Sequence, residues 1–392
     1  MSVYAFDVSI VIPTKNEELV VEQFVDWCNL GFKNAQVKGE IIFADNSTDR
    51  TAEIARKNGV KVVNIKQPGV GRAYREVAPH IEGRVVILGD ADCTYDFRKI
   101  EIFLNPLHEG YDFVIGSRFK GNIQKGSMPF AHQYFGTPLT TAIFDFVHGV
   151  RYSDIHCGMR AMPTKVFKSI LPQESGWQYA SEMLAKVRHQ KLRQIEIPID
   201  FFVAPNNRES HLKRDGWKTP VREGISTLVT TFKYAADRVL KLFSITTLLI
   251  GIPLFLITTL DMSRFGFREP SFGVQIAALG LCLIGSTTKN LSTLSESIYG
   301  ISDRHTNREG LRSSLDRFFV IYILVFLLTL VFCLYYFTIL INNNWQLPPN
   351  FFYLSRLIAP VLFVNFAFIL QIFISSLRLF IFERNDGNYA EK

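Results

Sequence analysis

Two carboxylates separated by a single residue are the feature of the chain with the clearest chemical meaning. Asp90 and Asp92 flank Ala91 at the end of an apolar run. If that run is an extended strand, side chains two positions apart point to the same side, so both carboxylates can face one ligand. Oxygen ligands of this kind bind Mg²⁺ or Mn²⁺ and leave coordination positions for phosphate oxygens. The pattern predicts a metal and nucleoside diphosphate site, with a solvated acidic turn as the alternative.

Polar residues also follow two earlier apolar runs. The first run ends in the stretch from Pro13 to Glu18, and the second ends in the stretch from Asp45 to Thr51. A carboxylate at a strand end can accept hydrogen bonds from the N–H groups of a nucleobase. Ser, Thr and Asp here are equally typical of a helix N-terminus, so Asp49 is as well explained as a capping residue.

A sheet is needed to bring these segments together, and the first 200 residues have the pattern of one. Short apolar strands are predicted at residues 8–13, 40–45, 60–65, 85–90 and 113–117. Amphipathic helices are predicted between them, at residues 18–28, 51–57 and 99–107. This alternation predicts an α/β domain with a mostly parallel sheet and helices on both faces. Ligands of such sheets bind at the carboxyl ends of the strands, where the polar stretches lie.

The second half of the chain is much more apolar. Hydrophobic residues make up 48% of the sequence, with 34 Phe, and charged residues only 20%, below the roughly 25% of soluble domains. Four uncharged apolar stretches carry the excess, at residues 242–260, 272–288, 318–341 and 357–377. A helix of about 20 such residues crosses a bilayer. The sequence therefore predicts four transmembrane helices in two hairpins.

The basic residues predict an orientation. Residues 208–241 hold eight Lys or Arg and residues 289–317 hold five, whereas the two hairpin turns together hold three. The positive-inside rule puts the N-terminal domain, the central link and the C-terminus in the cytoplasm. The net charge of +7 suits a membrane surface, a nucleotide or a nucleic acid equally well. Five cysteines without a CxxC pair favour a reducing compartment over a disulfide framework.

A division into four parts follows. We predict a catalytic domain at residues 1–215, an amphipathic juxtamembrane segment at 216–241, a transmembrane domain at 242–382 and a cytoplasmic tail at 383–392. The juxtamembrane segment mixes apolar residues such as Val221, Ile225 and Val229 with basic ones such as Lys218 and Arg222. That pattern predicts a helix lying on an anionic membrane surface, with a connector packed on the sheet as the alternative.

The order of the motifs resembles the GT-A glycosyltransferases of family 2, and more narrowly the polyprenyl-phosphate glycosyltransferases, the group that includes dolichol-phosphate mannose synthase. The resemblance spans about residues 7–215. In the first half it rests on the segments Val11 to Glu18, Ala44 to Thr51, Gly69 to Ala73, Asp90 to Asp92, and Gly116 to Phe119. In the second half it rests on Asp154 to Ala161, Ser181 to Met183, Glu196 to Ile199, and Arg208 to Leu212.

The resemblance implies a GT-A catalytic domain, which has a Rossmann-like, mostly parallel sheet, and roles for individual residues. The nucleoside would be held by Pro13, Thr14, Glu17 and Asp45. The diphosphate and Mg²⁺ or Mn²⁺ would be held by Asp90, Ala91 and Asp92, with Asp92 the strongest candidate for a direct ligand. Arg118 and Arg208 would meet phosphate groups and act in catalysis, while Ser210 and Lys213 would lie on a mobile segment that closes over the donor.

The acceptor side departs from the family. Many relatives carry a basic residue and a Ser within residues 129–141, whereas here the nearest candidates are His132, Gln133 and Thr137. His132 and Thr137, with Arg118, are predicted to meet the acceptor phosphate. Asn46 stands where many relatives carry a second Asp. If the acceptor is a hydroxyl, we predict Glu182 as the general base. Its position is equally consistent with a structural contact.

The implied function is transfer of a hexose, with inversion, from a UDP- or GDP-sugar to a polyprenyl or dolichyl phosphate at the cytoplasmic face of a membrane. Membrane lipids are expected partners, a homo-oligomer is compatible with the family, and no nucleic-acid partner is expected. One alternative is a synthase acting on a hydroxyl of a lipid or polysaccharide, although the QxxRW signature of such enzymes is absent from the sequence. Another is a channel or transporter with a nucleotide-sensing domain, disfavoured because the four apolar stretches contain no charged residue.

Overall fold

The computed structural model describes residues 4–205, 219–259 and 272–298, together with residues 331 and 338. The chain divides into two compact units, Met1–Ala235 and Ala236–Lys392. Three predicted site residues, Arg208, Ser210 and Lys213, lie outside the described residues. So do the predicted spans at 318–341 and 357–377, apart from residues 331 and 338.

The first unit is built on a seven-stranded sheet. Its strands are β1 (Phe6–Thr14), β2 (Gly39–Asp45), β3 (Lys61–Asn64), β4 (Gly83–Leu88), β5 (Phe113–Ser117), β6 (Arg160–Pro163) and β7 (Gln194–Pro198). They lie in the order β3-β2-β1-β4-β6-β5-β7. Successive residues Ile10, Val11 and Ile12 of β1 are all fully buried, so both faces of the sheet are covered at its centre. The predicted α/β architecture is confirmed.

Helices connect the strands. They are α1 (Val21–Asn34), α2 (Thr51–Lys57), α3 (Val70–Val77), α4 (Glu101–His108), α5 (Thr137–His148), α6 (Thr164–Ser169), α7 (Tyr179–His189) and α8 (Thr219–Tyr234). Two single 3₁₀ turns occur at Ala78–His80 and Phe97–Lys99, and a π-helical turn at His132–Gly136 leads into α5.

One strand runs against the others. β6 pairs antiparallel with both β4 and β5, whereas the remaining pairs are parallel. The sequence pattern missed this strand because it is four residues long and begins with Arg160, a charged residue that is nevertheless fully buried. Its guanidinium donates to the carbonyl oxygens of Ile155, Cys157 and Ala180 at 2.8–3.0 Å. Because β6 is antiparallel, the segment that precedes it lies at the carboxyl edge of β4 and β5.

Two predicted boundaries are wrong. The first helix begins at Val21 rather than residue 18, because the N–H of Glu17 donates to Thr51 Oγ1 at 2.8 Å and that of Glu18 donates to Asp49 Oδ2 at 3.3 Å. β4 ends at Leu88, so the two aspartates lie in the turn that follows it. The expectation that they share one side of an extended strand therefore does not apply, and their proximity must come from the turn.

The described part of the second unit consists of two helices, α9 (Ala236–Thr259) and α10 (Phe272–Ile298). Within the described residues, one helix is long and apolar enough to cross a membrane, over Ala236–Ile257 with a mean hydropathy of 2.1. α10 continues ten residues past the predicted end of the second span at residue 288. The prediction of four membrane spans thus stays a prediction.

Small residues bring α9 and α10 together. Ser244 Oγ donates to the carbonyl of Gly285 at 2.7 Å, and a Cβ added to Gly251 would come within 3.0 Å of Cys282 Sγ. Backbones that approach closely through small side chains are typical of helix pairs in membranes.

Candidate active site

A cavity of about 480 Å³ lies at the carboxyl edge of the sheet in the first unit. Its wall brings together nine of the predicted site residues, namely Pro13, Thr14, Glu17, Asp90, Ala91, Asp92, Arg118, His132 and Thr137. Asp45 and Glu182 are not part of that wall. The edge of the sheet predicted from the motif positions is therefore where a ligand-sized space occurs.

Asp45 is a buried residue that supports the end of the cavity next to β1 and β2 without being part of its wall. It is 5% exposed, and its Oδ1 accepts hydrogen bonds from Thr14 Oγ1 at 2.8 Å and Ser47 Oγ at 2.6 Å. Its neighbours Ala44 and Asn46 line the cavity instead. In this arrangement Asp45 orients the residues after the strands, and Thr14 and Asn46 line the cavity beside it.

The loops after β1 and β2 form a single platform. Asn16, in a left-handed conformation with φ +58°, donates its N–H to Ser47 Oγ at 2.9 Å. Its Oδ1 accepts the N–H of Thr48 at 2.9 Å. Asp49 Oδ1 accepts the N–H and hydroxyl of Thr51 at the start of α2, which is the capping role that the sequence left open for it. These contacts fix the loops relative to each other before any ligand arrives.

The two aspartates after β4 lie on the same wall. Asp92 Oδ1 accepts the N–H of Thr94 at 3.1 Å and its hydroxyl at 2.6 Å. Cys93, which lies between Asp92 and Thr94, has φ +56°. This conformation is uncommon for a non-glycine residue and is typical of strained functional turns. A Cβ on Gly158 would lie 3.1 Å from Asp90 Oδ2. A glycine there keeps space beside the carboxylate.

This donor set fits a Mg²⁺ or Mn²⁺ ion that is shared with a substrate. Two carboxylates that reach one cavity are hard oxygen ligands, and Mg²⁺ usually takes only one or two protein carboxylates together with phosphate oxygens and water. Among the described residues, no group of three or more His, Cys, Asp and Glu gathers as a metal site. The residues present therefore suit an ion completed by a diphosphate better than a resident structural metal.

Arg118 lies on another wall in a buried ion pair. Its Nε and Nη2 donate to Asp154 Oδ2 and Oδ1 at 2.6 and 2.8 Å, and its guanidinium lies 5.2 Å from the Phe201 ring centroid. Burial opposes the charge of Asp154, but the adjacent guanidinium outweighs it and lowers the pKa of that carboxyl. Because Nε and Nη2 are committed to Asp154, a ligand would meet Arg118 through Nη1.

Two histidines lie near this ion pair. Burial, and to a smaller extent the charge of Arg118, lowers the pKa of His132. Burial also lowers the pKa of His156 to about 4, although Asp154 acts in the opposite direction. His156 Nε2 lies 2.8 Å from Thr140 Oγ1. His156 is thus neutral at pH 7, so this wall offers polar hydrogen-bonding groups rather than additional positive charge.

Glu182 is a structural residue in this arrangement. Its buried carboxylate accepts the N–H groups of Gln173 and Glu174, at 2.6 and 2.8 Å, and the hydroxyl of Tyr234 at 2.7 Å. Lys186 Nζ lies at 2.8 Å. Burial opposes its charge, but these donors outweigh it and lower the pKa of Glu182. Of the two roles considered from the sequence, the placement favours the structural contact over the general base.

α8 supplies part of the cavity wall. It contributes Glu223, Gly224 and Thr227, and it is anchored by His148 and His189, whose Nε2 atoms lie 3.1 and 2.7 Å from backbone carbonyls of α8. The predicted amphipathic segment is therefore helical over Thr219–Tyr234 and packed on the catalytic domain through one face.

The opposite face of α8 is apolar and exposed, and it continues onto the neighbouring segment. The apolar surface, as we call it, consists of Phe130, Tyr134, Phe135, Leu139, Phe146, Val221, Ile225, Val229 and Phe232, each between 46% and 72% exposed. α5 and α8 pack against each other. Other residues of the same two segments line the cavity, so the cavity and the apolar surface are built from the same parts of the chain.

Comparison with known proteins identifies the family. Residues 9–171 match the profile of Glycosyl transferase family 2. The low-salt glycan biosynthesis hexosyltransferase Agl6 of Haloferax volcanii is 37% identical over 213 residues, which cover 54% of this chain and 51% of the relative. The glycosyltransferase AglJ of the same organism is 31% identical over 219 residues, which cover 55% of this chain and 68% of the relative. The chain belongs to glycosyl transferase family 2.

The family resemblance inferred from the motifs is confirmed, and the protein is a family 2 glycosyltransferase with a GT-A-like fold. Its match spans about half the length of Agl6. A dolichyl-phosphate hexose transferase of Haloferax volcanii is 29% identical over 204 residues, 51% of this chain and 86% of the relative. A solved glucosyl-3-phosphoglycerate synthase from Mycobacterium tuberculosis has a TM-score of 0.47 and 18% identity, covering 59% of this chain and 79% of that one. This last likeness is too low to bear on function.

The cavity is also lined by residues that the sequence did not single out. Thr140, His156, Trp177, Glu223 and Gly224 all line the cavity. His156 could have been noticed as an ionisable residue inside the motif that begins at Asp154. The residues of α8 carried no such signal, because nothing in an amphipathic pattern says which side of a fold the helix will cover.

Proposed function

We propose that this glycosyltransferase transfers a hexose from a nucleotide-sugar to a polyprenyl phosphate at a membrane surface. The proposal rests on one observation. The segment around α5 contributes some residues to the cavity wall and others to the exposed apolar surface. The polar residues His132, Thr137 and Thr140 line the cavity, whereas the apolar residues Phe130, Phe135 and Leu139 of the same segment are exposed. A polyprenyl phosphate has matching parts, a phosphate for the cavity and a hydrocarbon chain for the apolar surface.

The donor would occupy the wall made by the first three motifs. The nucleoside fits the platform after β1 and β2, where Thr14 and Asn46 line the cavity. The diphosphate would then meet Asp90 and Asp92 through Mg²⁺ or Mn²⁺. When bound, such an ion stabilises negative charge on the departing nucleoside diphosphate. The protein's own contribution is to hold the two carboxylates on a fixed turn, with Thr94 orienting Asp92.

The acceptor would approach from the wall of Arg118. An oxygen of its phosphate attacks the anomeric carbon, the bond from that carbon to the donor diphosphate breaks, and the configuration inverts. A phosphate is already ionised at neutral pH, so no proton has to be removed. Arg118, held by Asp154, presents Nη1 to the phosphate, and His132, Thr137 and Thr140 provide polar contacts. The family resemblance implies a phosphate contact for Arg208 and a donor-binding role for Ser210 and Lys213, which lie outside the described residues.

Membrane attachment follows from two features. The helix Ala236–Ile257 is long and apolar enough to cross a bilayer. The apolar surface of α5 and α8 is suited to the interfacial region, and the basic residues of the segment would favour an anionic leaflet. We place the catalytic domain, the central link and the C-terminus on the cytoplasmic side, and the four predicted spans in the membrane.

The acceptor assignment draws on one relative and one local contact. The relative named dolichyl-phosphate hexose transferase aligns over most of its own length. Glu182, the acid predicted as the general base for a hydroxyl acceptor, is occupied by backbone and side-chain donors away from the cavity wall. Both considerations favour a phosphate acceptor over the synthase alternative.

Paired acceptors test this assignment. Full-length enzyme in detergent is given Mg²⁺ or Mn²⁺ and a panel of UDP- and GDP-sugars, with either a polyprenyl phosphate or the polyprenol that lacks the phosphate. We expect a glycosylated product with the phosphate alone, with inverted anomeric configuration. Transfer to the polyprenol at a comparable rate, or retention of configuration, would contradict the proposed mechanism.

A further inference from the structure

The cavity has a wall to which no substrate group has yet been assigned. It is formed by the loop before α7 and by α8, through Gly176, Trp177, Glu223, Gly224 and Thr227. Trp177 lines the cavity and is 38% exposed. Glu223 belongs to the face of α8 opposite to the apolar surface. This wall combines an aromatic ring, a carboxylate and a hydroxyl.

The loop and the helix are fixed to each other. Gln178 donates to Ser226, and Lys233 Nζ donates to Glu174 Oε1 at 2.8 Å. Tyr234 donates to Glu182, whose carboxylate also holds the N–H groups of the loop. Trp177 and Glu223 therefore belong to one rigid wall rather than to two independently moving parts.

The charge distribution says which part of the substrates this wall suits. Lys15 and Arg118 are the described cations of the cavity, and they belong to the loop after β1 and the loop after β5. Arg222, 77% exposed, approaches Glu223 Oε1 at 3.3 Å from the solvent side, a geometry in which ion pairs contribute little. A carboxylate with so little compensation repels a phosphate. It accepts hydrogen bonds well from neutral hydroxyl groups.

We propose that Trp177 and Glu223 form the hexose subsite of the donor and select neutral hexoses over hexuronic acids. The inference rests on the proposed function and adds the class of sugar that the donor carries. The flat apolar face of an indole suits the C–H face of a pyranose ring, while its neighbour Glu223 accepts from the sugar hydroxyls. The carboxylate of a hexuronic acid would lie close to that of Glu223, and the two like charges would repel each other. The proposed preference for neutral hexoses therefore depends partly on the repulsion of hexuronic acids by Glu223.

Glu223→Gln tests the carboxylate directly. Full-length enzyme in detergent is assayed with UDP-glucose, UDP-galactose, GDP-mannose and UDP-glucuronate, and inhibition by free UDP and GDP is measured in parallel. We expect the variant to raise KM for the preferred hexose donor about tenfold and to reduce the preference for hexose over hexuronate at least tenfold. Inhibition by the free nucleoside diphosphate should stay within twofold, since that ligand does not reach the subsite. Glu22→Gln, an exposed acid on α1, is the matched control.

Gly224→Leu gives an independent test that does not depend on charge. A Cβ at Gly224 meets no atom within 4 Å, so the helix tolerates a side chain there. The leucine should fill the subsite and lower turnover of every sugar donor at least tenfold, with unchanged nucleoside diphosphate inhibition.

The outcomes separate this inference from the proposed function. An unchanged hexose preference in Glu223→Gln, or a wild-type enzyme that prefers the hexuronate, would overturn the subsite while inhibition by UDP or GDP upholds the donor site. A wild-type enzyme that neither uses these donors nor is inhibited by the free nucleoside diphosphates would overturn the proposed donor, and the subsite with it.

Discussion

The hydroxyl of Tyr234 donates a 2.7 Å hydrogen bond to the buried carboxylate of Glu182. It joins the last turn of α8 to the residue that holds the loop beside the cavity. Through this contact the helix that carries the apolar surface also helps to hold the loop that contains Trp177. This hydrogen bond is one of three contacts that connect α8 to the loop beside the cavity, together with those of Gln178 to Ser226 and Lys233 to Glu174.

Tyr234→Phe removes that connection while keeping the ring. We expect a loss of about 1 kcal/mol in the free energy of unfolding, the usual effect of deleting one partner of a buried hydrogen bond. KM for the sugar donor should rise as well, because the loop becomes less well fixed. Thermal unfolding in detergent and donor kinetics measure the two effects. Tyr111→Phe serves as the control, and equal behaviour of the two variants would contradict the connection.

The neutral state of His156 makes stability depend on pH. Its pKa is lowered to about 4 by burial, so between pH 6.5 and 4 the unfolded chain binds more protons than the folded one. Stability therefore rises with pH across this window and is lost as the pH falls through it. The full shift corresponds to about 3 kcal/mol. Because the ring borders the cavity and is partly solvated, we expect about 2 kcal/mol.

His156→Gln should flatten this dependence while keeping a polar contact to Thr140. The measurement is the difference in melting temperature between pH 7.5 and pH 5 for the wild type and the variant. A variant with the same difference as the wild type would show that His156 is not the residue that titrates.

The apolar surface should matter for long lipid acceptors only. Phe135→Ser and Leu139→Ser each remove an exposed apolar side chain, and we expect the KM for a long-chain polyprenyl phosphate to rise about tenfold in the double variant. A short-chain, water-soluble isoprenyl phosphate should be used equally well by both enzymes. Leu30→Ser, which changes an exposed leucine of α1, is the control. A double variant that loses activity equally with both acceptors would contradict a role in lipid binding.

Asp92 should govern the response to metal. Removing divalent ions with a chelator is expected to abolish transfer, and re-added Mg²⁺ or Mn²⁺ should restore it. Asp92→Asn should lower kcat at least a hundredfold and raise the ion concentration needed for half-maximal activity. Titrating the ion against initial rates measures both. Full activity of the wild type in chelator would contradict the metal assignment.

The motif residues could be located from the sequence because each is attached to a strand end. Asp90, Asp92 and Arg118 follow apolar runs, and the carboxyl ends of parallel strands meet at one edge. Asp45 also lies at a strand end, yet its side chain is buried beside the loop. There its Oδ1 accepts hydrogen bonds from Thr14 and Ser47. A strand position fixes the neighbourhood of a side chain but not the direction in which its functional group points.

The residues of α8 could not be assigned in the same way. Its amphipathic pattern predicts one apolar face and one polar face. The polar face could have met water, but it packs on α5 and α7 and places Glu223 at the cavity. That outcome depends on contacts such as His148 to Thr231, between residues 83 positions apart. Periodicity alone carries no information about such a partner.

Mass spectrometry of the lipid product would detect the proposed sugar transfer itself. Wild-type enzyme and Asp92→Asn are incubated in detergent with a polyprenyl phosphate, Mg²⁺ or Mn²⁺ and the panel of UDP- and GDP-sugars. The account predicts a polyprenyl phosphate heavier by one hexose residue with the wild type and one donor, and its loss in the variant. Release of nucleoside diphosphate by the wild type without any glycosylated lipid phosphate would contradict it.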